Sequence, residues 1–208
     1  MSSRHPIQAL LAHPGIWQGR RQAAGSRPVL PTGFPELDAA LGGGWPLGEV
    51  NELLVPEWGL GEFRLLLPAL ARLSRAPAPA GWLLFADPPY CPYAPGLRGA
   101  GLDLSRLLVL RSNGRNALLW SIEQSLESYC FSAILAFCGA ADRVALRRLR
   151  LAAAASACWL VLLRSERRHR QRSPAGLRLR LATAADGRLQ LDILKQRGGR
   201  PRRLLLDC

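Results

Sequence analysis

Lysine is almost missing from this chain. Of its 28 lysine and arginine residues, only Lys195 is a lysine. Histidine is scarce as well: His5, His13 and His169 lie far apart in 208 residues. The five cysteines (Cys91, Cys130, Cys138, Cys158 and Cys208) contain no C-x-x-C pair. Those absences argue against a metal centre and against a disulfide framework, and they point to reduced thiols. Cys138 and Cys158 fall in apolar runs and read as core residues. No stretch reaches the ~18 apolar residues that a membrane span needs. The run 149–163 is apolar, but it is short and is followed by Arg164. No charged-then-apolar leader opens the chain, because His5, Pro6, His13 and Pro14 interrupt it. A cytoplasmic protein without membrane contact is the expectation.

What is present is positive charge. The net charge of +13 favours an anionic partner, either nucleic acid or an acidic protein surface. An apolar fraction of 49% is enough for a real core. The length suits one domain with short appendages. Residues 1–29 read as an N-terminal arm and linker, 30–199 as the core and 200–208 as a basic tail. Trp17 in the arm packs either on the chain's own core or on a partner.

From Leu30 onward, helical and strand patterns alternate. Helices are expected over 34–41, 62–73, 116–128 and 142–155, with Pro68 kinking the second. Strands are expected over 48–54, 81–86, 107–111, 131–138 and 158–163. This order implies an α/β fold with a mostly parallel sheet and helices on both faces. Residues 176–181 and 188–194 alternate with period two around Asp186-Gly187. They read as an antiparallel hairpin added to the sheet edge.

The segment after the strand 48–54 is laid out as a phosphate-binding loop without its chemistry. It runs Val55-Pro56-Glu57-Trp58-Gly59-Leu60-Gly61-Glu62-Phe63. A working loop needs a lysine for the β/γ-phosphates, then a hydroxyl for Mg²⁺. Glu62 and Phe63 stand in those places. A carboxylate repels a triphosphate, and a phenyl ring holds no metal.

Several segments together resemble the RecA core. Leu30-Pro31-Thr32-Gly33, Leu37-Asp38 and Leu41-Gly42-Gly43-Gly44 are similar to the segment that precedes its nucleotide loop. Gly101-Leu102-Asp103 resembles a strand-entry pattern, and Leu194-Lys195-Gln196-Arg197-Gly198-Gly199 resembles the Lys-x-Arg-x-Gly finger. The resemblance runs from about Leu30 to Gly199. Size and altered loop look most like the ImuA family, small RecA-like accessory proteins of SOS-linked mutagenic translesion DNA synthesis.

That resemblance implies a protein that is no enzyme, has no cofactor and acts as an adaptor. Its implied partners are an ImuB-like polymerase homologue, RecA, an error-prone polymerase complex and single-stranded DNA, with the protein at the nucleoid when bound. Against the active pattern, Cys138 replaces the acidic residue at the second nucleotide motif. Pro89 falls where a catalytic glutamate belongs. Asp87 survives, and it reads as turn geometry. The same reduced core also looks like SulA, which implies the alternative of a division inhibitor that binds FtsZ.

The basic stretch 164–172 falls where RecA-like proteins carry a DNA-contacting loop. Its candidate phosphate contacts are Arg164, Arg167, Arg168, Arg170 and Arg172. It holds no aromatic residue, so any binding there is independent of base sequence. A solvated basic loop is the equal alternative. Arg143, Arg147 and Arg150 share one face of the helix 142–155 and extend the surface if they lie beside the loop. Lys195 and Arg197 are finger-like, implied to reach a neighbouring subunit's nucleotide or else to face solvent.

Overall fold

A computed structural model describes residues 28–77, 81–139 and 141–207. The arm that carries Trp17, and Cys208, lie outside the described residues.

Alternation of apolar runs with amphipathic stretches builds a single eight-stranded sheet. Its members are β3 (Val50–Val55), β4 (Trp82–Ala86), β5 (Leu107–Leu110), β6 (Phe131–Phe137), β7 (Trp159–Ser165), β8 (Leu177–Thr183), β9 (Leu189–Lys195) and β10 (Arg202–Leu206). The strand order is β10-β9-β8-β3-β7-β6-β4-β5. All pairs from β8 to β5 are parallel, and β8-β9-β10 is antiparallel. The expected hairpin is therefore present, and it is longer than its sequence signal. The stretch read as a tail supplies a third antiparallel strand over Arg202–Leu206. Leu204 and Leu206 bury one face of it while Arg202 and Arg203 stay exposed. A separate small ribbon pairs β1 (Val29–Leu30) with β2 (Trp45–Pro46).

The central strands are apolar on both faces because both are covered. In β6, Ala133, Leu135 and Phe137 face one core, whereas Ile134, Ala136 and the following Cys138 face the other. In β7 the split is Trp159, Val161 and Leu163 against Leu160 and Leu162. The first core takes Leu37 of α1 (Pro35–Leu41), Leu65, Leu66, Ala69 and Leu70 of α2 (Glu62–Ser74), and Leu97 of α3 (Ala94–Gly99). The second takes Leu118, Ile122 and Leu126 of α4 (Arg115–Glu127) and Leu146, Leu149 and Ala153 of α5 (Arg143–Ser156). Each fully buried leucine contributes about 1.5–3 kcal/mol by leaving water. Helix α2 runs on through Pro68, which is exposed.

Local signals set the ends. Asp142 caps α5 by accepting from the Ala145 N–H at 2.8 Å. Thr32 begins the turn into α1: its hydroxyl accepts from the Phe34 N–H at 3.1 Å, while its own N–H donates to Asp38 Oδ1 at 2.8 Å.

The cysteines divide by burial. Cys138 and Cys158 are buried, whereas Cys91 and Cys130 are exposed. Burial pushes the Cys158 thiol up to about 12, which suppresses the reactive thiolate at neutral pH. Iodoacetamide should therefore label Cys91 and Cys130 in the native protein and reach Cys138 and Cys158 only after unfolding. Peptide mass mapping reads the four sites separately.

Candidate nucleic-acid interface and the altered nucleotide loop

On the second face of the sheet, α4 and α5 cover the centre, but among the described residues no β8 or β9 side chain joins their core. The residues that alternate with the buried leucines of β8 and β9 are mostly polar, Arg178, Arg180, Gln190 and Asp192, with Ala182 and Leu194 beside them. A groove of about 650 Å³ opens between α5 and this charged face. Arg143, Arg147 and Arg150 line one wall, and Arg172, Arg178 and Lys195 line the other side. The helical spacing of four and then three residues puts the first three on one stripe. Arg143, Arg147, Arg150 and Arg172 are exposed, and none of them has a carboxylate within ion-pair distance among the described residues. Uncompensated guanidinium groups in one concavity concentrate positive potential and suit a phosphate backbone.

The loop that closes the groove is held from beneath by Glu52 of β3. Its carboxylate is fully buried between two arginines: Arg164 Nη1 lies 2.7 Å from Oε1 and Arg178 Nε lies 2.6 Å from Oε2. Ser173 Oγ also donates to Oε1 at 2.8 Å. The remaining Arg178 donors reach the Gln171 carbonyl at 2.9 Å and the Arg168 carbonyl at 3.2 Å. Arg164 spends a further donor on the Ala141 carbonyl at 3.1 Å. Two guanidinium groups against one carboxylate leave an excess positive charge beneath the groove.

This corrects one expectation. Arg164 is buried at 2% exposure and serves the Glu52 ion pair, so it is not part of the basic surface. A charged residue at the end of a buried strand must find a partner there, because leaving it unpaired in the interior is costly. Arg167 and Arg170 are exposed and Arg168 is half-buried, in and after the 3-10 turn Glu166–Arg168, and none of the three lines the groove. Of the five arginines in 164–172, only Arg172 joins the α5 stripe. Lys195 lines the groove and donates to the Ser173 carbonyl at 3.0 Å, and Arg197 lies 3.8 Å from Glu49.

Glu52, Ser173 and Arg178 did not stand out in the sequence. A lone glutamate inside the run Val50–Val55 was the available signal, since a fully buried strand tolerates a carboxylate only with paired donors. A second network braces the hairpin, where Arg203 Nε lies 2.6 Å from Asp192 and Arg180 pairs with the same carboxylate. Burial raises the pKa of Asp192, but the bonds from Arg203 and Arg180 outweigh it and hold the carboxyl below the usual range.

At the C-terminal end of β3, where Val55 pairs with Ser165 of β7, the altered loop has folded onto itself. Gly61 takes φ +108°, and a Cβ there would lie 2.6 Å from Leu189 Cδ2, so glycine is required. Glu62 opens α2 and is buried, with Oε1 accepting from the Gly59 N–H at 2.7 Å. In a phosphate loop such a backbone donor faces the phosphate; here it is spent on a carboxylate. Phe63 packs on Phe85 at 5.7 Å and Phe137 at 6.2 Å between ring centroids, and Trp58 meets Phe137 at 5.5 Å.

Pro56 and Glu57 begin the loop, and Pro89 is exposed in the turn after β4. Cys138, directly after β6, is a buried thiol. Asp87 takes φ 51° and accepts from the Ser112 N–H at 2.6 Å and from its hydroxyl, tying β4 to the start of α4. These residues do not fit Mg²⁺ and a triphosphate: the cationic and hydroxyl positions are filled by a carboxylate and a packed ring.

No family model matches the chain. Over 100 residues, 48% of its length, it is 32% identical to the RecA protein of Crocosphaera subtropica (strain ATCC 51142 / BH68), of which that stretch covers 28%. It is 33% identical over 100 residues to the RecA protein of Prochlorococcus marinus (strain MIT 9303), 25% of that protein. The chain thus matches about a quarter of the length of these curated relatives. Together with the mostly parallel sheet and its antiparallel extension, these matches support a distant RecA-like relationship. No helix among the described residues is long and apolar enough to cross a membrane.

Proposed function

We propose that this chain is a non-hydrolysing RecA-like protein that holds single-stranded DNA in the arginine groove. The carrying observation is the convergence of Arg143, Arg147, Arg150, Arg172 and Lys195 on one concavity. No aromatic side chain among the described residues lines the groove, so contacts run to phosphates and binding does not depend on base identity. The self-capped Glu62 loop supports the absence of ATP turnover. The resemblance to the ImuA family supplies the finer assignment, an adaptor in mutagenic translesion synthesis whose partners are an ImuB-like polymerase homologue and RecA.

Two titrations of the same sample test this directly. A fluorescent oligo-dT should bind and be released by salt, whereas Mg-ATP should give no heat of binding. Tight ATP binding, or indifference to the oligonucleotide, overturns it.

A further inference from the structure

Arg172 sits between two ties to one buried carboxylate. On its N-terminal side, the Gln171 carbonyl accepts from Arg178 Nη1 at 2.9 Å, and Arg178 Nε lies 2.6 Å from Glu52 Oε2. On its C-terminal side, the Ser173 hydroxyl donates to Glu52 Oε1 at 2.8 Å. The same hydroxyl oxygen accepts from the Ala175 N–H at 3.1 Å, and the Ser173 carbonyl accepts from Lys195 Nζ at 3.0 Å. Ser173 is half-buried and lines the groove. Pro174 follows it, and a residue before proline is biased toward extended backbone.

We infer that Ser173 is the positioning residue of the arginine groove, a role that rests on the groove's reading as a seat for single-stranded DNA. Neutral itself, Ser173 sets Arg172 and Lys195 where they meet phosphates. Arg172 is exposed and has no carboxylate partner among the described residues, so its backbone is held while its guanidinium stays free. Holding the backbone in advance lowers the ordering cost that binding must meet. The Lys195 ammonium has three donors, and the Ser173 carbonyl takes one, which leaves the others for a phosphate. Removing the hydroxyl leaves Glu52 paired with both Arg164 and Arg178, so the buried ion pairs survive. What is lost is the tie on the C-terminal side of Arg172, and with it the fixed carbonyl that orients Lys195.

The test is oligo-dT binding across a salt series by the full chain, by Ser173→Ala and by Ser173→Thr. Ser173→Ala removes no charge, but it should weaken binding by about 5–20-fold at low salt. It should also flatten the dependence of log affinity on log salt by about 0.7–1.4, the share of one or two contacts to a single strand. A variant that was merely less folded would lose affinity at an unchanged slope. Ser173→Thr keeps the hydroxyl and should restore both values. In a chain that already carries Arg172→Ala and Lys195→Ala, the added Ser173→Ala should have little further effect. Lys195 is the only lysine, so ¹⁵N-lysine labelling gives one side-chain signal, which Ser173→Ala should shift without DNA present. A parent chain that ignores oligo-dT overturns the groove reading and this role with it. A binding parent with an indifferent Ser173→Ala, or with the full Ser173→Ala loss retained in the Arg172→Ala, Lys195→Ala chain, overturns the role alone.

Discussion

Replacing Glu52 by glutamine is expected to destabilise the protein by about 3–5 kcal/mol, because two buried guanidinium groups lose their counter-charge. Arg164 and Arg178 are 2% and 7% exposed and have no other carboxylate partner among the described residues. Urea unfolding followed by far-UV circular dichroism measures the loss. The triad as a whole is not a strong stabiliser, since removing three charges from water costs much of what their attraction returns. The triple variant Glu52→Leu, Arg164→Met, Arg178→Met should therefore regain most of the stability that Glu52→Gln loses. It should not regain the loop. Arg178 donates to the carbonyls of Arg168 and Gln171, and methionine donates nothing. Limited trypsin digestion should then cut the triple variant faster at Arg167, Arg168, Arg170 or Arg172. A triple variant as unstable as Glu52→Gln refutes the energetic account, and unchanged cutting refutes Arg178 as the anchor of the loop.

Most of the fold is legible in the sequence because it rests on periodicity. The runs in β6 and β7 are apolar at successive positions, which only a strand covered on both faces allows. Leucine alternating with arginine in β8 marks a strand with one uncovered face, and that face became a wall of the groove. Strand β10 escaped because Arg202-Arg203-Leu204-Leu205-Leu206 does not alternate, so nothing local separates it from a basic tail. The altered loop was readable from two missing side chains, Lys and Ser/Thr. The capture of the Gly59 N–H by Glu62 was not, because it depends on how a side chain folds back over three residues. The burial of Arg164 was equally hidden. Sequence places it beside Arg167 and Arg168, but its partner Glu52 lies 112 positions away.

Changing Arg143, Arg147 and Arg150 to alanine together is expected to reduce affinity for oligo-dT by about 100-fold at low salt. The dependence of log affinity on log salt should flatten by about 2, the amount that three lost contacts to a single strand remove. Helix α5 should survive the change, because alanine is the best helix former and all three side chains are exposed. Arg148 is the internal control. It sits on the same helix but turns to α4, with Nε 3.0 Å from Glu123 Oε1, and does not line the groove. Arg148→Ala should leave both affinity and salt slope unchanged. Arg167→Ala with Arg170→Ala should have a smaller effect than the α5 triple, because those side chains lie outside the groove. Because no ring among the described residues lines the groove to stack a base, oligo-dT and oligo-dA should bind alike, and binding should collapse as salt rises. The outcome that removes DNA from the groove is an α5 triple variant with the affinity and salt slope of the parent. If instead the loop pair carries the larger loss, the strand runs over the exposed turn at 166–170 rather than between α5 and the hairpin.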